Sequence, residues 1–142
     1  MITIQIIEKG HGNQWWKELF SLYLKEGEPF EIHYWKNEKE EITSARKYGS
    51  LEETNWEYGE VLKGILTAEF IHELLEWKCT KDDVYEKLTP YFTLQVTGAY
   101  SEHYGTEIYL EKIPEDRETF QQILDSVVSF VSVSGYQKEQ DR

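Results

Sequence analysis

The chain has 142 residues, carries 27 Asp and Glu against 15 Lys and Arg, and has a formal net charge of -12 at pH 7. That length suits a single domain, 1–142, burying roughly 68–70% of the surface its unfolded chain would expose, and five Trp, ten Tyr and six Phe supply a core that a disordered acidic tail lacks. One cysteine, Cys79, excludes an internal disulfide or a multi-thiol metal centre and fits a reducing cytoplasm, while the acidic excess opposes contact with nucleic-acid phosphates and anionic lipid headgroups.

Met1 to Glu8 alternates apolar and polar residues and predicts a strand, with neither the basic start nor the cleavage site of a signal peptide. Gly10-His11-Gly12 marks a turn, and Asn13 can cap a helix running to about Lys25. Its apolar stripe is Trp16, Leu19, Phe20 and Tyr23, broadened by Trp15 and Leu22, and Gly27 provides the stop. Phe30, Ile32 and Tyr34 alternate with Glu31, His33 and Trp35, which predicts a strand whose second face is partly aromatic. The charged segment 36–41 reads as a turn, 42–48 as a weaker strand, and Gly49 to Asn55 as a polar connection before an alternating strand from Tyr58 to Leu66.

Thr67 can cap a helix containing Phe70, Ile71, Leu74, Leu75 and Trp77. Thr80 opens a further short helix with Asp82 and Asp83 in its first turn, where the helix dipole favours negative charge, and Pro90 ends it. Leu94 and Val96, then Ile108 and Leu110, mark two strands joined through the turn-rich segment Gly98 to Gly105. Phe120, Ile123, Leu124, Val127, Val128 and Val131 recur at three and four residues and predict a last helix, after which 137–142 frays. The order β-α-β-β-β-α-α-β-β-α predicts an α+β domain, a mainly antiparallel sheet with helices mostly on one face. No apolar run approaches the roughly 20 residues needed to cross a bilayer.

Catalytic motifs are weak. His72-Glu73-Leu74-Leu75-Glu76 places residues 72 and 76 on one helix face but lacks the second histidine of a zinc-protease helix, so a surface His–Glu pair is the better reading and no metal is expected. His33 and His103, the latter with Glu102 and Glu107 nearby in sequence, are candidates for acid–base work in a small His-dependent hydrolase. Cys79 beside Lys78 has no paired histidine or nucleophile elbow. No glycine-rich phosphate loop is present, and no cofactor is expected.

The densest acidic stretches, Glu38 to Glu60 and Glu69 to Glu86, are interleaved with Tyr48, Trp56, Tyr58, Trp77 and Tyr85. Carboxylates speed encounter with a basic protein, and aromatic anchors slow its departure. In size, acidity and the passage Gly49-Ser-Leu-Glu-Glu-Thr-Asn-Trp-Glu-Tyr-Gly-Glu-Val61, the chain resembles in general character the immunity proteins of Gram-positive polymorphic-toxin systems, partners of cell-wall-associated YD-repeat toxins. The resemblance implies a cytoplasmic, non-enzymatic inhibitor that binds a nuclease toxin domain; no residue role is carried over from it. A nuclease must present a basic surface to phosphates, and an acidic protein can occupy it. The partner-binding candidates read from the chain are Glu52, Glu53, Trp56, Glu57, Tyr58 and Glu60. The competing expectations are the His-dependent hydrolase and an acidic regulatory or nucleic-acid-mimic protein.

Overall fold

The computed structural model describes residues 1–79 and 86–136. Eight strands form one antiparallel sheet: β1 (Ile2–Ile6), β2 (Pro29–Trp35), β3 (Gly49–Glu52), β4 (Gly59–Ile65), β5 (Thr93–Val96), β6 (Ala99–Glu102), β7 (Glu107–Leu110) and β8 (Val131–Ser134). Their order across the sheet is β3-β4-β2-β5-β6-β7-β1-β8. Four helices accompany them among the described residues: α1 (Gln14–Ser21), α2 (Lys39–Arg46), α3 (Ala68–Glu76) and α4 (Arg117–Val127). The class is α+β, as the periodicity predicts.

The helices share one face of the sheet. In α1, Trp16 and Phe20 stack with ring centroids 4.3 Å apart, and the Trp16 Nε1–H donates to Ser101 Oγ of β6 at 3.2 Å. Phe70 of α3 meets Phe30 of β2 at 4.8 Å. Arg46 of α2 lies 3.7 Å from Glu60, which stands opposite Tyr34, a fully buried residue on that same face. α4 packs beside α1, sending Phe120, Ile123, Leu124 and Val127 into the core. Each large apolar side chain removed from water stabilises the fold by about 1.5–3 kcal/mol before entropy is counted.

Several elements depart from the sequence reading. α1 stops at Ser21 rather than near Lys25, and the Ser21 hydroxyl donates to Glu18 O at 2.6 Å, a local bond that competes with helix continuation. Tyr23 and Leu24 remain buried beyond it, anchored by the Tyr23 hydroxyl on Lys112 O at 2.6 Å. The expected turn at 36–41 and strand at 42–48 are replaced by α2. Glu40 and Glu41 lie at its positive end and Arg46 at its negative end, so dipole complementarity supports a helix that buries only Ala45 completely. The expected connection Gly49 to Asn55 contains strand β3, which among the described residues pairs only to β4.

The expected turn Gly98 to Gly105 holds a whole strand, β6, followed by a 3₁₀ turn at His103–Gly105. The last helix ends at Val127 instead of continuing through Val131: Val128 is 73% exposed, and Val131 begins β8, which pairs with β1. The Thr67 cap forms as expected, its Oγ1 accepting from Phe70 N–H at 3.1 Å. The helix expected from Thr80 and the fraying expected at 137–142 fall outside the described residues. Among the described residues, no helix is long and apolar enough to cross a membrane.

Candidate functional site on the open sheet face

Strand alternation sends every second side chain to the face opposite the helices. Two cross-strand rows result. In the first, Glu52 stands opposite Val61, Val61 opposite His33 and His33 opposite Thr93. The Thr93 hydroxyl donates to Glu102 at 2.7 Å, Glu102 faces Glu107, and Glu107 faces Gln5. In the second, the register runs Ser50, Lys63, Glu31, Gln95, Tyr100, Tyr109, Thr3 and Ser134. Between them lie inward rows such as Leu62, Ile32, Leu94, Ser101, Ile108 and Ile4, all fully buried. A one-residue slip would exchange the two sets, so burial of the apolar rows fixes the polar rows outward.

The outward rows carry Glu31, Glu52, Glu102 and Glu107 against Lys63, and Glu111 adds a carboxylate at the end of β7, accepting from the Tyr100 hydroxyl. Lys63 reaches Glu31 at 3.4 Å, and His33 Nε2 lies 2.6 Å from the other Glu31 oxygen. The Tyr109 hydroxyl donates to Glu107 at 3.1 Å, and His103 Nε2 stands 3.7 Å from the same Glu107 oxygen. The hydrogen bond to Glu111, then burial, raises Tyr100 above the ordinary tyrosine range, and the bond to Glu107 does the same for Tyr109. Both phenols therefore stay protonated and donate.

One end of this face deepens into a cleft of about 1090 Å³. Its wall is a run of edge-to-face aromatic contacts, Trp35 on Phe92 at 5.2 Å, then Phe92 on His103 at 5.1 Å and on Tyr104 at 5.4 Å, and Trp56 packs on Trp35 from outside the cleft at 4.8 Å. His103 and Tyr104 both have positive φ, 50° and 60°, which costs about 1–2 kcal/mol per residue. The turn is held by Tyr104 N–H on Phe92 O at 3.1 Å and by Tyr104 O accepting from Leu88 at 2.8 Å. It also needs Gly105, where a Cβ would come within 2.9 Å of Trp16 Nε1. At the cleft base, Glu38 accepts from Trp35 N–H at 2.9 Å, the Tyr104 hydroxyl at 3.1 Å and Lys87 Nζ at 3.3 Å. Lys87 also lies 4.5 Å over the Tyr104 ring.

The sequence candidates separate in this frame. Glu52 sits at the β3 end of the first outward row and is exposed, as is Glu53. Trp56 is half-buried over Gly59, and Glu57 and Tyr58 line the cleft. Glu60 points to the helical side and is tied to Arg46, away from the other five. His33 and His103 share the open face, each beside its own glutamate, with Thr93 and Glu102 between them in the row. His72 lies apart on α3, and Cys79 is half-buried. Among the described residues, no three His, Cys, Asp or Glu side chains converge as a metal-binding group. Sequence reasoning missed Glu31 and Tyr100 because their role depends on neighbours far away in the chain; the outward alternation of Glu31 with His33 was the available signal.

No family model, curated protein or solved structure matches this chain.

Proposed function

We propose that this protein is a non-catalytic inhibitor that binds a basic protein, specifically an immunity protein that covers the phosphate-binding surface of a nuclease toxin domain. The observation that supports this reading most is the open sheet face, where Glu31, Glu52, Glu102 and Glu107 are arrayed against Lys63 in two outward rows. Such an array focuses negative potential on a broad surface and speeds encounter with a cationic partner. The cleft beside it supplies Trp35 and Tyr58, and Trp56, packed on Trp35 beside the cleft, adds a third aromatic contact for longer residence. Glu52, Glu53, Trp56, Glu57 and Tyr58 remain contact residues in this reading, joined by Glu102 and Glu107.

The test is to mix the protein with the toxin-like domain encoded beside it, measure binding by calorimetry at low and high salt, and follow nuclease activity. Tight, salt-weakened 1:1 binding that abolishes cleavage supports the reading; no binding at either salt concentration rejects it. The hydrolase reading keeps one specific support, the two His–Glu pairs on one face. A hydrolytic activity lost in a folded His103→Ala variant would favour it.

A further inference from the structure

A second, smaller cleft lies on the other side of the molecule, between α2, α3 and the segment Pro90–Tyr91. Its volume of about 360 Å³ is near the small end of the ~300–1,000 Å³ range of ligand pockets. Glu40 and Glu41 line it from α2, Glu73 and Glu76 from α3, and Trp77 and Tyr91 contribute aromatic surface.

Acidic side chains on two helices do not by themselves make a site, but a buried polar side chain left without a partner marks this one. Tyr91 is only 3% exposed, lines the cleft and has no hydrogen-bond partner among the described residues. The Glu73 carboxylate accepts from Lys47 Nζ at 3.0 Å through one oxygen, and its other oxygen, Oε2, is buried toward the Tyr48 hydroxyl. Burial, then the charges of Glu73 and Glu41, raises Tyr91 far above the ordinary tyrosine range, which places its hydroxyl in the field of carboxylates from both helices. A polar group entering the cleft can pair with the Tyr91 hydroxyl.

We infer that this cleft receives one arginine side chain of a protein partner, with its guanidinium between Glu41 and Glu73 and its plane against Trp77 or Tyr91. A guanidinium fits better than an ammonium: the acceptors lie on separate elements, and a planar fork of five donors reaches both sides while stacking on an aromatic ring. The inference deepens the proposed function by giving the basic partner a defined anchor point on a surface distinct from the open sheet face.

A small probe separates this site from the larger reading. ¹⁵N-labelled protein is titrated with N-acetyl-arginine N-methylamide, and with the lysine and uncharged citrulline analogues, at low salt. Saturable shifts of the Trp77 indole N–H are expected with the arginine probe, several-fold weaker binding with the lysine analogue and none with citrulline. Glu41→Gln with Glu73→Gln should abolish the response. Tyr91→Phe, which removes only the hydroxyl, should weaken it several-fold, with near-ultraviolet circular dichroism confirming that each variant is folded. No saturable shift at Trp77 up to the solubility limit of the probe, an equal citrulline response, or an unchanged response in the folded double variant would overturn the proposal. Shifts confined to Glu31 and Glu102 would also overturn it while leaving the open-face reading intact. A specific Trp77 response without binding to the toxin domain would keep this site and reject the toxin-partner reading.

Discussion

Glu102 and Glu107 stand directly opposite one another across the β6–β7 pair on the open face of the sheet. Like charges at a cross-strand position destabilise a sheet, and the local bonds only soften the contact: Thr93 donates to Glu102, and Tyr109 donates to Glu107. A cationic group from a partner would relieve the repulsion from outside. The pair therefore opposes stability in the free protein and, under the proposed function, would favour association with a cationic partner.

Glu102→Gln keeps an oxygen that can accept from Thr93 and removes the repulsion. The isolated domain is expected to gain about 0.2–1 kcal/mol, read as a higher urea midpoint with an unchanged slope. The same variant should associate more slowly with the basic partner, and raising the salt should shrink the difference. A variant that becomes less stable, or associates at the original rate at low salt, would remove Glu102 from the electrostatic role.

Ser101→Ala tests a contact that fixes α1 to the sheet. Ser101 and Trp16 are fully buried, and the indole N–H donates to Ser101 Oγ at 3.2 Å. Alanine fits the space but leaves that donor unsatisfied, at a cost of about 1–3 kcal/mol. Chemical denaturation should show the loss. A stability change below a few tenths of a kcal/mol would mean that the indole finds another acceptor.

The same serine shows why β6 was illegible in the sequence. The inward positions of that strand are Ala99 and Ser101, small or polar residues beneath bulky helix side chains, so no apolar alternation announces them. α2 was hidden for a related reason: only Ile42 and Ala45 form its inward side, and the dipole-matched charges at its ends give no periodic signal. β8 did alternate as Val131-Ser132-Val133-Ser134, but Val131 also continued the helical spacing of α4, and the longer pattern prevailed. β1, β2, β4, α3 and most of α4 were legible because their apolar faces are long. At the site, Glu52 and the aromatic passage around Trp56 could be proposed from composition, whereas the rows joining Glu31, Glu102 and Glu107 exist only through strand register.

Asp116 provides a pH prediction. Its carboxylate accepts from Thr119 N–H at 3.0 Å as the cap of α4, and the bonds from the Thr119 side chain and backbone hold it below the ordinary aspartate range. A carboxyl with a depressed folded-state pKa contributes stability fully above its unfolded pKa, and that contribution is lost as pH falls through the folded value. Urea midpoints of Asp116→Asn, which can still cap, should therefore fall less steeply on the acid limb than those of the parent protein. Parallel acid limbs for the two proteins would show that the Asp116 charge does not contribute.

Trp56 can be moved without being mutated. It lies over Gly59, where a Cβ would come within 2.2 Å of its ring, and it makes an edge contact with Trp35 at 4.8 Å. Because the colliding group is a side chain rather than backbone, Gly59→Ala is expected to displace the ring and leave β4 paired to β2. Acrylamide should quench Trp56 more strongly, with Trp56→Phe supplying the signal of the other four tryptophans to subtract. If Trp56 anchors the partner, Trp56→Ala should raise the dissociation rate about 30-fold, equivalent to about 2 kcal/mol at an interface hot spot. Gly59→Ala should raise it in the same direction while keeping every carboxylate of the outward rows, so the association rate should hold. Faster dissociation in both variants with an unchanged association rate would assign residence time to the aromatic wall and encounter to the acidic face. Normal dissociation in a folded Gly59→Ala variant whose Trp56 is demonstrably displaced would take Trp56 out of the interface.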